Sequence, residues 1–297
     1  RQYWQRVFSE LPEDLKLPLD HPRPRVKTYS GERLSTILDA ELDAKLRAYA
    51  RRNNTTLFVV LLAAYYVLLN KLGDNGDVVV GIPAAGHPHV GLNDLVTHMV
   101  SFLTVRKRDF PGEAFNQFLK DLRNDFNDAK SNQDLAYGEL IRLLQVPRDH
   151  SRLPLVSASF NMDLEMAPLW FEDARAAFVH TPRSFVKYDL FFNLIDEQSA
   201  IALEVDFNTD LLERETVLKW ITFYQHLLQG ICDASAASTV ADFGLLDTGE
   251  EQALLQQWYD TGVVYPLDRV SLVSLFEAAV VQHPERIALV YDDQRLR

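Results

Sequence analysis

The sequence has little cysteine. Cys232 is the only one in 297 residues, which excludes an intrachain disulfide framework and a cysteine-rich zinc site, and points to a reducing compartment. Basic charge is also scarce: 30 Lys and Arg face 42 Asp and Glu, a formal net charge of −12. Phosphates demand clustered cations, so nucleic acid and anionic membrane surfaces are excluded as broad partners. No apolar run is long enough for a membrane. The longest, Leu57 to Leu69, falls well short of the roughly 20 residues that span a bilayer and reads as a buried helix. The first residues, "RQYWQRVFSELPEDL", hold neither an apolar signal core nor a cleavage site, so the expected location is cytoplasmic. No two of the eight histidines are adjacent. The chain has no initiator Met and stops within the strand-like "IALVYDDQRL", so both ends read as cuts from a longer polypeptide.

What is present is a full core, with 47% hydrophobic residues, enough for one or two domains. An amphipathic start, Gln2 to Leu11, runs into "LPLDHPRPRVKTYSGE", whose prolines forbid regular helix and suit an extended crossing. A strand and a helix starting at Asp39 or Ala40 follow, with Asn53 and Asn54 as the stop and Thr55 or Thr56 capping the apolar helix. That helix should end at the glycines of "KLGDNGD". The strand "DVVVGIP" is apolar on both faces and belongs inside a sheet. "VTHMVSFLTVRKR" reads as a strand, "GEAFNQFLKDLRNDFNDAKSN" and "AYGELIRLLQV" as helices, and "RDHSRLPLVSASFNMD" as a loop feeding a strand. "RSFVKYDLFFNLID" and "AIALEVDFNTDLL" read as an antiparallel pair, closed by the helix "ERETVLKWITFYQHLLQGICD". The expected class is α/β, a mixed sheet with flanking helices.

The order of segments carries a resemblance. "YWQRVFSELPEDLKLPLDHPRPRVKTYSGE", "TTLFVVLLAAYYVLLNKLGDNGDVVVGIPAAG", "VSFLTVR", "NQDLAYGELIRLL", "RDHSRLPLVSASFN", "KYDLFFNL", "DFNTDLL" and "LLDTGEEQALLQQWYDTGVVYP" resemble successive blocks of the condensation domain of non-ribosomal peptide synthetases. "LVSLFEAAVVQHPERIALVYDDQRLR" resembles the entry to an adenylation domain. The resemblance implies a chloramphenicol-acetyltransferase-like (CoA-dependent acyltransferase) fold of two lobes with a tunnel between them. Residues 1–245 would be the C-terminal lobe, 246–271 the linker, and 272–297 the start of the adenylation domain. The implied chemistry is acyl transfer. The amine of an aminoacyl group on one carrier protein attacks the thioester carbonyl of a donor on another, both held on phosphopantetheine arms, and an amide forms in secondary-metabolite biosynthesis. No cofactor binds directly; the implied partners are carrier proteins, the adenylation domain and the N-terminal lobe. Two alternatives keep the fold: a heterocyclisation or epimerisation domain, and a degenerate scaffold that docks carrier proteins.

The family's HHxxxDG signature is absent, so no catalytic residue is assigned within the chain, and the fragment is expected to be inactive alone. His87 stands where the family has an Arg that pairs across the lobes, which makes it an inter-lobe candidate. With His89 as its only near neighbour and no third ligand at suitable spacing, no metal site is expected there. Thr97 and Ser101 stand where Gly and Asn are usual; His98 and Ser101 are candidates to line the tunnel. Arg106 matches the pattern, as do Arg148, Asp149 and Arg152, which read as loop-stabilising ion pairs. Asp189, a carboxylate in an apolar strand, must find a donor or face solvent. Leu164 to Ser184 corresponds to the latch that crosses to the other lobe.

Overall fold

The Asp39 carboxylate accepts hydrogen bonds from the backbone N–H groups of Glu41 and Leu42 at 2.8 and 3.3 Å, and with Glu41 and Asp43 it places negative charge at a helix start. In the computed structural model, which describes residues 1–85, 100–165, 169–171, 174–176, 182–197, 200–235, 237–259 and 271–296, helix α2 accordingly begins at the next residue and spans Ala40–Arg52. Thr56 caps α3, Leu57–Gly73, through its hydroxyl and the N–H of Val59. Every residue of α3 from Val59 to Asn70 is buried, as an apolar helix without a polar face must be. It ends with Asp74 in the left-handed conformation at φ 50°, a place expected of glycine. Gly73 serves otherwise: a side chain there would run into the carbonyl of Lys16.

A six-stranded mixed sheet lies beside this helix. Its strands are β1 (Gly31–Ile37), β2 (Asp77–Ala85), β3 (Val100–Arg108), β4 (Ala158–Leu164), β7 (Leu190–Asp196) and β8 (Ile201–Asn208), in the order β1-β8-β7-β4-β2-β3. The valine strand β2 is interior, antiparallel to β3 and parallel to β4. The expected antiparallel pair is β7 with β8. It starts later than the sequence suggests, at Leu190, because Phe185 bridges to Ser30 and Asp189 is already held by two cations. A short hairpin, β5 (Leu169–Phe171) with β6 (Ala174–Ala176), lies within the segment expected to be the latch, and Trp170 is exposed there.

One face of the sheet, which we call inner, carries Val80, Val105, Phe160, Phe192 and Val205, all buried. It receives α3, α4 (Phe115–Ser131) and α6 (Arg214–Asp233), while the short α5 (Tyr137–Leu143) lies against β3. Tyr65 of α3 packs on Phe160 and Phe192, the Tyr66 hydroxyl donates to the carbonyl of Val105 at 2.7 Å, and that of Tyr224 in α6 donates to Leu61 at 2.9 Å. The tips of Tyr66 and Tyr224 therefore keep partners while their rings fill the core. The first helix, α1 (Gln2–Val7), is shorter than its amphipathic pattern. Arg106 ends it by donating from Nη1 to the carbonyls of Val7 and Glu10 at 3.0 and 2.6 Å.

Contacts divide the chain into two units, Arg1–Asp247 and Thr248–Arg297. The second contains α7 (Thr248–Tyr259), α8 (Leu272–Gln282) and the hairpin β9 (Leu289–Tyr291) with β10 (Gln294–Leu296). Ser271 caps α8 in a reciprocal box with Ser274. Among the described residues no single helix is long and apolar enough to cross a membrane.

Candidate functional site

Strands β2 and β4 pair at two positions only, Val80 with Ala158 and Gly81 with Ser159. Beyond them Ile82 to Ala85 pair with β3 alone and Phe160 to Leu164 with β7 alone. The sheet therefore splits between the C-terminal ends of the parallel strands β2 and β4. Backbone groups along the split are left without a ladder partner from the opposite lip. In open α/β sheets the crevice outside the carboxyl ends of parallel strands is where ligands bind.

The lip formed by β2 and β3 bears Ser101, opposite Ala84 in register. Its side chain is on the inner face with Leu103 and Val105, half-buried, and its hydroxyl donates to Oε1 of Gln133 at 2.8 Å, with the Ala84 carbonyl at 3.3 Å. Gln133 is buried, and among the described residues its Nε2 has no partner.

On the other lip the outer face of the sheet carries a polar row. Asn161 of β4 donates from Nδ2 to Oδ1 of Asn193 in β7 at 2.9 Å, and Asn193 donates from Nδ2 to Oε2 of Glu204 in β8 at 3.1 Å. Arg33 of β1 reaches Glu204 from Nη1 at 2.5 Å and grips Asp206 with Nε and Nη2 at 2.5 and 2.9 Å. Arg183 stands 3.4 Å from Asp206. Asn193, Glu204 and Asp206 are buried; Asn161 is half-buried. The row is legible from β8 only in part: Glu204, Asp206 and Asn208 alternate with Val205 and Phe207, which shows that one face is polar but not that it is buried. Beside the row the outer face is aromatic. Phe102 stacks on Tyr188 at 5.7 Å, Tyr137 meets Phe102 edge-on, Phe191 lies 6.0 Å from Tyr188, and the Lys187 ammonium stands over both Phe102 and Tyr188. Burial raises the Tyr188 hydroxyl to about 12, so it stays protonated.

The remaining sequence candidates fall elsewhere. Arg106 is buried, bidentate to Asp77 at 2.9 and 2.6 Å, and holds the N-terminal segment. Arg152 pairs with Asp149 at 2.9 Å and with Asp14 at 2.7 Å; Arg148 is exposed. Asp189 is buried under Arg23 and Lys27 at 2.7 and 3.2 Å. His87, Thr97 and His98 lie outside the described residues, as does part of the latch segment. Of the sequence candidates among the described residues, Ser101 alone lies on a lip of the split, one strand back from it on β3. Asn161, Asn193, Glu204, Arg33 and Gln133 are additions that sequence reasoning missed.

A family model for the condensation domain matches residues 1–255. The chain belongs to the condensation domain family. This condensation-domain chain is 33% identical over 300 residues to tyrocidine synthase 2 of Brevibacillus parabrevis, covering 99% of the chain and 8% of that protein. It is 29% identical over 299 residues to gramicidin S synthase 2 of Aneurinibacillus migulanus, covering 100% of the chain and 7% of that protein. The chain therefore spans less than a tenth of the length of these relatives. Among solved structures, a four-domain nonribosomal peptide synthetase bound to AMP and glycine superposes with a TM-score of 0.79 at 18% identity, over 97% of this chain and 23% of that one. The first condensation domain of the CDA synthetase gives 0.65 at 19% identity, over 82% and 53%. The mixed α/β architecture is that of condensation domains.

Proposed function

We propose that residues 1–245 are the C-terminal lobe of a condensation domain that forms amide bonds in a non-ribosomal peptide synthetase, followed by a linker at 246–271 and the start of an adenylation domain at 272–297. The family match across residues 1–255 carries this reading. In the reaction the amine of a carrier-bound aminoacyl group attacks the thioester carbonyl of a second carrier's acyl group. A C–N bond forms, the C–S bond breaks, and the proton leaves with the thiol. The phosphopantetheine arms belong to the carrier proteins, and the chain holds no cofactor of its own. The histidine pair comes from the N-terminal lobe, since no two histidines here are adjacent. The split between β2 and β4 is the part of this lobe that faces the tunnel, with Ser101 on the lip beside it; the roles expected of His98 and His87 rest on the family resemblance alone. Orienting two tethered reactants supplies much of the rate in such a reaction, so half a tunnel gives no turnover.

The test is amide formation from two loaded carrier proteins, followed by mass spectrometry. The chain alone is expected to give none, and addition of the N-terminal lobe in trans to restore some. Turnover by the chain alone would overturn the assignment of the catalytic group to the other lobe. Failure of the complete synthetase to make an amide would turn the reading toward a docking scaffold.

A further inference from the structure

The polar row on the outer face has a direction. A carboxylate only accepts hydrogen bonds, so Glu204, fixed by Arg33, turns the Nδ2 of Asn193 toward itself and the Oδ1 away. That Oδ1 in turn draws the Nδ2 of Asn161. The amide flip of both asparagines is thereby set by one anchored charge, and the Oδ1 of Asn161 is left as the outward end of the row. Among the described residues it has no partner. Asn161 is also the first outer-face residue of β4 beyond the last position paired with β2, so it stands at the split, with the half-buried Phe191 on the same face of β7 one outer-face position earlier, opposite Ser159.

We propose that the Oδ1 of Asn161 accepts an N–H of the incoming amine and positions it for attack, an inference that rests on the acyl-transfer reading above. The chemistry favours an acceptor here. A nucleophilic amine must keep its lone pair for the carbonyl carbon; an oxygen without hydrogen binds an N–H and leaves the lone pair free, whereas a donor would occupy it. Phe191, diagonal to Asn161 on the same face, supplies apolar surface to this part of the sheet, which suits the carbon skeleton of an aminoacyl group. The ligand class is a primary amine carried on an uncharged chain.

Two measurements decide it. In the complete synthetase, Asn161→Leu is expected to raise KM for the aminoacyl carrier roughly five- to thirtyfold, the loss of one hydrogen bond, with KM for the donor carrier unchanged; the unfolding midpoint falls, because the buried Asn193 Oδ1 loses its donor, and the split between the two KM values separates positioning from that loss of stability. An unchanged acceptor KM in a synthetase that makes amide overturns the proposal. The second measurement needs no turnover. Side-chain amide resonances of Asn161 and Asn193 in the 15N-labelled synthetase are followed during titration with alanyl-pantetheine amide and with its trimethylammonium analogue, which keeps the charge but has no N–H on that nitrogen. The Asn161 signal is expected to shift with the first probe only. Equal responses, or none, overturn the site whatever the amide assay gives. A synthetase that makes no amide yet shows the selective shift keeps the site and sinks the reaction.

Discussion

The hydroxyl of Ser101 donates to Oε1 of Gln133 at 2.8 Å, and the same buried amide leaves its Nε2 without a partner among the described residues. Gln133 thus has one satisfied end and one that is not. Leaving a buried acceptor unpaired costs about 1–3 kcal/mol, whereas replacing both partners by apolar groups of similar shape is close to neutral. Ser101→Ala is therefore expected to destabilise by about 1–2 kcal/mol in urea denaturation. Ser101→Ala combined with Gln133→Met should recover most of that loss, because it also removes the orphan N–H. Additive losses would show that Gln133 is held by something other than this pair.

Gly81, on the outer face where β2 last meets β4, leaves room that the Phe102 ring and Val156 occupy; a side chain there would collide with both. Gly81→Ala should cost about 1–3 kcal/mol as an overpacked site. Trimming the ring with Phe102→Leu in the same chain should return part of it. The urea midpoint measures both, and an unshifted midpoint for Gly81→Ala would mean that the aromatic patch yields without strain.

The elements were legible where the signal is local. Asp39 and Thr56 announce their helices because a cap bonds within three residues, and the valines of β2 declare an interior strand because both faces are apolar. The split was not legible, since it depends on how far two strands run together and no residue type marks that length. The polar row was hidden for a related reason: Arg33 and Asp206 are 173 positions apart, and alternating polar residues in β8 look the same whether water or another side chain covers them. Ser101 was singled out by departure from a family pattern, yet its partner Gln133 sits in a loop 32 residues on. Pattern locates a position; packing supplies its partner.

Cys232 in α6 offers a chemical test of that packing. Burial is the main cause that raises its thiol to about 11, with the nearby Asp233 carboxylate adding to it. Thiolate is the reactive form, so at pH 8 alkylation by iodoacetamide should run on the order of a hundredfold slower than for an unperturbed cysteine, whose pKa is near 8.5. The rate should climb with pH up to about 11. A rate at pH 8 equal to that of free cysteine would show that the C-terminal end of α6 opens readily.

Asp189 makes the sharpest stability prediction. Its carboxylate is buried just before β7, with Arg23 on Oδ2 and Lys27 on Oδ1, both from the proline-rich crossing. Its backbone N–H donates to Ser157 and its carbonyl accepts from Asn208, so one residue ties the crossing to the starts of β4 and β7 and to the end of β8. Two cations share one anion, and the three removals are not equivalent. Asp189→Ala leaves both cations uncompensated and should cost about 3–5 kcal/mol, the penalty of breaking a buried pair. Asp189→Asn keeps an acceptor oxygen and should cost less. Arg23→Met should cost least, because Lys27, the more buried of the two cations, still neutralises the carboxylate. Urea denaturation of the three variants at pH 7 gives the order directly. If Arg23→Met proves as damaging as Asp189→Ala, the second cation is required for the fold, and the crossing is held by the full triad and not by one pair.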